Sequence, residues 1–246
     1  KGYTFFVRAD AFNHSNLKNP TSANSDFGLG AWNVGKEFDD LTINMGFIYD
    51  QIGSGILFRS YEDRGLLIDN ALVGIELKYK VANNILVKGF TGQQKNNNGV
   101  NNLRYAPILK GFNGEGDFAV GKVHLMPGVG VFNRTLDANS YNTVVAKVKA
   151  DTNASHHFVP VHNMYAFTAY NTLIYKNFSW YVEGAYKTHE AILKNNILED
   201  VPGNVQYTSI NYGMKGIALS LTGKRTENFV MRTSPNEILL NGMMNW

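Results

Sequence analysis

A charged segment flanked by apolar residues is the part of this sequence whose residue types and spacing most clearly suggest chemistry. The segment Gln51–Asn70 contains the charged residues Arg59, Glu62, Asp63, Arg64 and Asp69. Opposite charges this close together can line a constriction that selects solutes by charge. Alternatively, Arg59 pairs with Glu62 in a loop packed on a rim. Asp63 pairs with Arg64 in the same way, and this structural interpretation is the favoured one of the two.

The same segment is too apolar for a freely solvated loop. Its apolar side chains are Ile52, Ile56, Leu57, Phe58, Leu66 and Leu67. Connections of this length are usually either functional or disordered. We therefore expect the segment to pack on the protein, either inside an enclosed space or against its rim.

A second set of charged residues alternates with apolar residues in extended stretches. On the inner face of a membrane barrel such charges are tolerated because the interior is wet, whereas on the lipid face each costs about 2–4 kcal/mol at the bilayer midplane. The charges assigned to the inner face are Arg8, Asp10, Glu76, Lys78, Lys80, Lys88, Glu183, Lys187 and Lys224.

Two other motifs resemble known sites but lack essential residues. The stretch Gly116–Val123 imitates a phosphate-binding loop, yet it ends in valine where Ser or Thr should hold magnesium. His156, His157 and His162 offer imidazole ligands, but only Asp151 stands at a helpful spacing, and a polar loop entering a strand is the favoured interpretation. The chain has no cysteine, which excludes thiolate sites and cysteine nucleophiles. We predict no catalytic residue, metal ion or cofactor.

The elements that must position these residues are extended strands. Apolar and polar residues alternate with period 2 in Tyr3–Phe12, Leu41–Asp50, Ala71–Val81, Phe178–Lys187 and Ile217–Thr226. These runs are about 10 residues long, whereas soluble strands have about 5–6 residues and bilayer-crossing strands need about 9–11. The side chains expected to face lipid are Val73, Ile75, Leu77, Tyr79, Phe178, Trp180 and Val182.

Further strands with less regular alternation raise the expected total to about 11 or 12. They are Phe27–Lys36, Ile85–Gly92, Ile108–Val120, Lys122–Arg134, Thr143–Lys149, Val161–Tyr175 and Val205–Met214. Helical periodicity is absent from the pattern, so we expect almost no helix.

Composition limits the protein class. Charged residues make up 17% of the chain and aromatic residues 13%, while the net charge is only +3. The charge is too small and too scattered to favour nucleic-acid binding, and a hydrophobic content of 44% excludes disorder. No apolar run approaches the roughly 18 residues of a membrane-spanning helix.

The connections between the predicted strands alternate in length. Short turns with Asn, Asp or Gly fall at 37–40, 82–84, 175–177 and 215–216, and long connections fall at Asn13–Asp26, Gln51–Asn70, Gln93–Pro107 and Thr188–Asn204. Short turns at one end and long loops at the other are typical of outer-membrane barrels, although a soluble up-and-down barrel can share the pattern. We expect an all-β fold, an antiparallel transmembrane β-barrel forming a single domain over residues 1–246.

Three blocks of sequence resemble a group of Bacteroidota outer-membrane β-barrels of unknown function. The most specific block runs from Tyr49 to Arg64 and continues at 68–74; the other two are 170–181, and 224–229 together with 232–235. The resemblance implies a porin-like barrel in the bacterial outer membrane. Members of the group are longer, which implies that this chain is part of a larger barrel. We accordingly expect Tyr3–Phe12 not to pair with Ile238–Trp246, the closing strands lying beyond the chain.

Two functions remain open from the sequence. The first is a porin-like channel for small polar solutes. The second is a non-catalytic structural subunit of an outer-membrane secretion, assembly or uptake complex. The expected partners are outer-membrane lipid and other outer-membrane or periplasmic proteins, with no nucleic acid. The solute, the partner proteins and the oligomeric state are not encoded in any pattern of the sequence.

Overall fold

The computed structural model describes residues 2–15, 23–66, 68–96, 104–194 and 197–235. Antiparallel strands dominate these residues, as the period-2 pattern predicts. The strands are β1 (Tyr3–Ser15), β2 (Asn24–Glu37), β3 (Leu41–Ile48), β4 (Gln51–Ile52), β5 (Phe58–Arg59), β6 (Glu62–Asp63), β7 (Ile68–Asp69), β8 (Leu72–Ala82), β9 (Ile85–Gln94), β10 (Ile108–Gly116), β11 (Phe118–Val120), β12 (Val123–Thr135), β13 (Asn163–Tyr175), β14 (Phe178–Lys194), β15 (Ile197–Met214) and β16 (Ile217–Glu227). One α-helix, α1 (Ala138–Ala150), and a short 3-10 helix (Ala154–His156) lie between β12 and β13.

The large sheet is a meander of neighbouring antiparallel strands. Its 12 strands follow the order β1-β2-β3-β8-β9-β10-β12-β13-β14-β15-β16, with β11 paired to β12. Within the described residues the sheet is open, because β1 pairs only with β2 and β16 only with β15. A closed barrel is therefore not seen within the described residues. The expectation about Ile238–Trp246 lies outside the described residues.

The connections separate into a short-turn end and a long-connection end, as the sequence predicts. At the short-turn end, β8 and β9, β13 and β14, and β15 and β16 are joined by two-residue turns. Gly216 in the last of these turns has φ +86°, a left-handed conformation that favours glycine. At the opposite end lie the connection from β3 to β8 and the connection that contains α1.

The sequence-based expectation of a strand at Thr143–Lys149 is wrong, because these residues lie in α1. The carboxylate of Asp137 caps the helix by accepting from the N–H groups of Asn139 and Ser140. Val144 and Val148, one helical turn apart, are buried against Ala191 and Leu198. The β-branched valines are typical of strands, but tertiary packing of this apolar stripe outweighs that preference.

The long loop expected at Thr188–Asn204 is also wrong. Its described residues extend β14 and β15, which pair from Glu190–Val201 to Lys194–Ile197. The register shifts between Lys187 and Glu190. This bulge breaks the alternation of apolar and polar residues and thereby conceals the strand from a period-2 search.

Cross-strand register defines the two faces of the large sheet. One line of partners, on the outer face, joins Leu77, Gly89, Phe112, Val131, Phe167 and Tyr186. A line of the opposite parity, on the inner face, joins Lys80, Leu86, Glu115, Gly128, Tyr170, Glu183, Tyr207 and Lys224. Large apolar side chains are exposed on the outer face, and the buried core lies on the inner face.

The outer face departs from the expected pattern at one place. Val73 is only 6% exposed because it packs with Phe47 beneath Ala31 and Trp32. The pairing of β2 with β3 ends at Asn33–Gly46. Beyond that point β2 covers the first residues of β8. By contrast, Leu77, Tyr79, Trp180 and Val182 are between 40% and 48% exposed.

Candidate functional site

Residues 49–71, which we call the inserted segment, fold onto the inner face of the sheet. Ile52, Ile56, Leu57 and Phe58 are at most 2% exposed and join the main hydrophobic core. The sequence anticipated that these apolar residues pack on the protein. Leu67 lies outside the described residues.

Aromatic packing and close backbone approach fix the inserted segment. The ring of Phe58 lies 4.6 Å from that of Phe90 and 5.5 Å from that of Phe132, centroid to centroid. A Cβ atom at Gly130 would come within 2.4 Å of Ile52 Cγ2, so the segment touches the backbone of β12. These contacts place the segment directly against this part of the sheet.

An ion-pair cluster ties the inserted segment to β1. The guanidinium of Arg8 contacts Glu62 at 2.6 Å and Asp69 at 3.3 Å. Lys95 reaches Asp69 at 2.6 Å, and the Tyr49 hydroxyl donates to Asp69 at 3.0 Å. Burial and the nearby Asp69 carboxylate raise the pKa of Tyr49, so this hydroxyl stays a hydrogen-bond donor at neutral pH.

A second cluster joins the inserted segment to β8 and β9 through Asp50. Lys88 contacts the Asp50 carboxylate at 2.8 Å and Lys78 contacts it at 3.1 Å. Lys78 also reaches Glu76 at 3.3 Å. Burial by itself would raise the pKa of Asp50, but the neighbouring Glu76 carboxyl and the charges of Lys88 and Lys78 outweigh burial and lower it. Asp50 is therefore an anion held between two lysines.

A third contact fixes the tip of the segment to β13 and β14. Glu183, 1% exposed, accepts hydrogen bonds from the backbone N–H of Ser54 at 3.0 Å and from its hydroxyl. Thr168 and Tyr181 donate to the same carboxylate at 2.9 and 2.6 Å. A carboxylate with this many donors tolerates burial, because its hydrogen-bonding capacity is met.

Of the predicted site residues, Arg59 and Asp63 do not join these clusters, and Arg64 contacts the first cluster only from an exposed position. Arg59 lies over the ring of Tyr61, with 4.2 Å from its guanidinium carbon to the ring centroid. Asp63 accepts from the backbone N–H of Leu66. The side chain of Arg64 is 74% exposed and contacts Glu62 at 3.2 Å. Among the described residues, Arg59 does not pair with Glu62, and Asp63 does not pair with Arg64.

The charges predicted on the inner face lie there, but in different environments. Asp10 pairs with Arg8 at 2.9 Å. Lys80 and Lys224 are exposed, and Lys80 lies close to the short turn between β8 and β9. Lys187 is fully buried and pairs with Glu190, a residue that sequence reasoning placed in a loop.

Sequence reasoning also missed the segment 228–235. This segment follows β16 and folds onto the inner face, where Phe229 and Met231 enter the main core. Its apolar residues alternate over too few positions to give a period-2 signal. The inner face is therefore covered by two chain segments at its long-connection end.

A cavity of about 490 Å³ opens below the inserted segment at the short-turn end. Its wall carries Gly53 of the inserted segment and polar, charged and aromatic side chains from β8 to β14, including Lys80, Asn84, Glu115, Asp117, Tyr170 and Tyr181. The Tyr170 hydroxyl donates to Glu115 at 3.2 Å. The volume falls in the range of small-molecule sites, which is about 300–1,000 Å³.

The histidines are engaged by protein groups. His156 contacts the Asp151 carboxylate at 2.9 Å, and His157 contacts the Asp151 carbonyl at 2.8 Å. Hydrogen bonding from the N–H of Asn153 and then from His156 lowers the pKa of Asp151. His162 stacks on Tyr141 at 3.7 Å. In the part of the chain that the structure describes, no group of three His, Cys, Asp or Glu residues could hold a metal ion.

No helix among the described residues is long and apolar enough to span a lipid bilayer. The chain matches a family of unknown function, DUF6029, over residues 1–246. It belongs to that family. No curated protein matches the chain.

The solved structures that are similar to the chain include three bacterial proteins. Pseudomonas aeruginosa OccK8 (OprE) shares 8% identity over 93% of this chain and 75% of its own, with a TM-score of 0.47. The outer membrane protein opdK of Pseudomonas aeruginosa shares 10% identity over 95% and 76%, with a TM-score of 0.46. Acinetobacter baumannii OccAB4 shares 11% identity over 92% and 71%, with a TM-score of 0.44. Similarities this low assign no function, so the chain's own geometry must do so.

Proposed function

We propose that this chain forms the wall of a bacterial outer-membrane β-barrel and acts as a porin-like channel for small polar solutes. The observation that carries the proposal is the contrast between the faces of the sheet. Aromatic and aliphatic side chains are exposed on the outer face, and ion pairs lie on the inner face. A water-soluble sheet would have to hide the apolar face, whereas lipid solvates it.

Individual strands illustrate the contrast. In β1, Tyr3, Phe5 and Val7 are 64–73% exposed, while Arg8 turns to the inserted segment. In β16, Leu219 and Leu221 are both 64% exposed. Such exposure along both edge strands fits contact with hydrocarbon over the height of the sheet.

The inserted segment is the element that narrows the passage in this proposal. Glu183, Arg8 and Lys88 hold it from separate strands of the sheet, so it divides the interior instead of lying on the rim. The 490 Å³ cavity lies on its short-turn side and is the compartment in which a solute would meet Lys80 and Glu115. The Bacteroidota origin implied by the block that starts at Tyr49 is part of the same proposal.

The second candidate function is a structural role in an outer-membrane complex. The observation that favours it is the dense packing of the core on the inner face of the sheet. Phe58, Phe90 and Phe132 form a closed aromatic cluster at the level where an open pore would hold water. In this case the barrel would present its outer wall or long connections to partner proteins instead of conducting.

Planar-bilayer recording of the full-length chain tests the channel. We expect discrete conductance steps, and we expect Lys80→Gln to shift the reversal potential in a salt gradient toward cation preference, because one positive charge leaves the cavity. Lys110→Gln is the matched control, since Lys110 is an exposed lysine on the outer face, in register with Thr91 and Asn133.

Two outcomes contradict the channel proposal. One is a bilayer-inserted, folded protein without conductance. The other is an equal effect of Lys80→Gln and Lys110→Gln. Native mass measurement after mild detergent extraction decides the second candidate, because a structural subunit should carry other proteins in fixed stoichiometry.

A further inference from the structure

A buried charged cluster lies behind the segment 228–235, apart from the clusters that hold the inserted segment. Arg134 on β12 is 1% exposed, Lys187 on β14 is fully buried and Glu190 is 3% exposed. The Arg134 guanidinium contacts Glu190 Oε2 at 2.7 Å, and Lys187 Nζ contacts Glu190 Oε1. Both oxygens of the single carboxylate are therefore engaged.

The charges of these three residues do not balance. Two cations share one carboxylate, and their other hydrogen bonds go to neutral carbonyl groups of the segment 228–235. Arg134 Nη1 donates to the Arg232 carbonyl at 2.9 Å, and Lys187 Nζ donates to the Val230 carbonyl at 2.9 Å. Because carbonyl oxygens carry no net charge, the contacts of these three residues within the described part of the chain leave one positive charge in excess among residues shielded from water, which is costly.

One donor in the cluster is unused. Arg134 Nε is buried and has no hydrogen-bond partner. The side chain borders a small cavity of about 20 Å³, whose other lining residues include Glu190, Val230, Arg232 and Pro235. A buried charged donor beside a small cavity, with no acceptor among the described residues, indicates that something complementary occupies that space. The volume admits one water-sized particle.

We propose that this cavity binds one monovalent inorganic anion, with chloride as the expected occupant. A chloride ion would accept a hydrogen bond from Arg134 Nε and would also cancel the excess positive charge. A water molecule would accept the hydrogen bond but would leave the charge in place. Phosphate, sulfate and organic carboxylates are too large for the space. The bound anion would stabilise the segment 228–235 on the inner face, because that segment supplies one wall of the cavity.

The test uses the full-length protein in detergent, dialysed into sodium gluconate. Equilibrium dialysis with radiolabelled chloride, at ionic strength held constant with gluconate, measures binding directly. We expect saturable binding of one chloride per chain, and a rise of the unfolding temperature that follows the same saturation curve, since a ligand of the folded state stabilises it. Bromide should compete with chloride, and gluconate should not.

Arg134→Met should abolish the binding and the chloride-dependent rise in unfolding temperature. Arg104→Met, at an exposed arginine outside the cluster, should leave both unchanged. If Arg134→Met does not fold, the wild-type measurement still decides the matter. Absence of saturable chloride binding to the wild type would overturn the proposal and leave water as the occupant. Retention of binding by a folded Arg134→Met variant would also overturn it. Neither result depends on conductance.

Discussion

Phe58→Ala should release the inserted segment from the inner face without dissolving the sheet. The Phe58 ring is 2% exposed and lies in favourable contact distance of Phe90 and Phe132. Truncation of a buried phenylalanine costs about 3–5 kcal/mol, which includes loss of aromatic pair contacts. We expect a loss near the middle of that range, about 4 kcal/mol. Because every 1.4 kcal/mol is about tenfold in a population, the released form should increase roughly a thousandfold.

Tryptic cleavage after Arg59 measures this release. The bond is protected in the native protein, because Ser60 is 4% exposed and its backbone N–H donates to the Asp50 carbonyl at 2.8 Å. When opening and closing are fast relative to cleavage, the cleavage rate follows the population of the open form. Phe58→Ala should therefore be cleaved after Arg59 far faster than the wild type, while its far-UV circular dichroism stays that of an intact sheet.

Leu66→Ala is the matched control within the same segment. Leu66 is 69% exposed, so its truncation should change stability by less than about 0.5 kcal/mol. Equal cleavage rates for Phe58→Ala and Leu66→Ala would refute the inference that core packing holds the segment. Loss of the sheet signal together with cleavage would refute the inference that the segment opens on its own.

The other predictions concern the cap of α1, the faces of the sheet and the ion pairs of the inserted segment. Asp137→Ala should destabilise α1 by about 1 kcal/mol, measured by hydrogen exchange of its amides. Burial would raise the pKa of Asp137, but hydrogen bonds from Ser140 and its neighbours lower it, so the wild-type cap should weaken as the pH falls through this lowered pKa and the variant should lack that change. In proteoliposomes, a lipid-soluble thiol reagent should label Trp180→Cys but not Glu183→Cys; equal labelling would mean that the faces are wrongly assigned. Arg8→Ala should raise tryptic cleavage after Arg59 more than Arg64→Ala does, because the Arg8 side chain is 16% exposed and the Arg64 side chain is 74% exposed. Equal cleavage rates after Arg59 in the two variants would count against the Arg8 cluster.

The period-2 pattern predicted the strands well wherever one face is buried and the other exposed. The strand from Leu72 to Ala82 alternates Glu76 and Lys78 with Ile75 and Leu77, so its register could be read directly. The same rule failed for α1, where the decisive contact of Val144 with Ala191 joins residues far apart in sequence. No local pattern carries that information.

The candidate site was predictable in part. Apolar residues in a long connection indicated that the inserted segment packs on the protein, because a solvated loop would not contain Ile52 and Phe58. Its partners were not predictable. Arg8 and Glu183 were assigned to the inner face, but nothing in the spacing of either residue shows that it contacts Glu62 or Ser54. The sequence predicted ion pairs between neighbouring residues of the segment, such as Arg59 with Glu62. In the structure Glu62 pairs instead with Arg8 on β1.

The contact of Ser54 with Glu183 has a consequence for biogenesis. These residues are 129 positions apart, so the tip of the inserted segment has no final partner until most of the chain has been synthesised. During that interval Ile56 and Leu57 stay accessible to other chains, and they are prone to non-native association. Binding of the nascent polypeptide by a holdase should therefore reduce this non-native association until the last hairpins have been synthesised. Docking of this segment should be a late, rate-limiting step of maturation, because distant contacts form slowly.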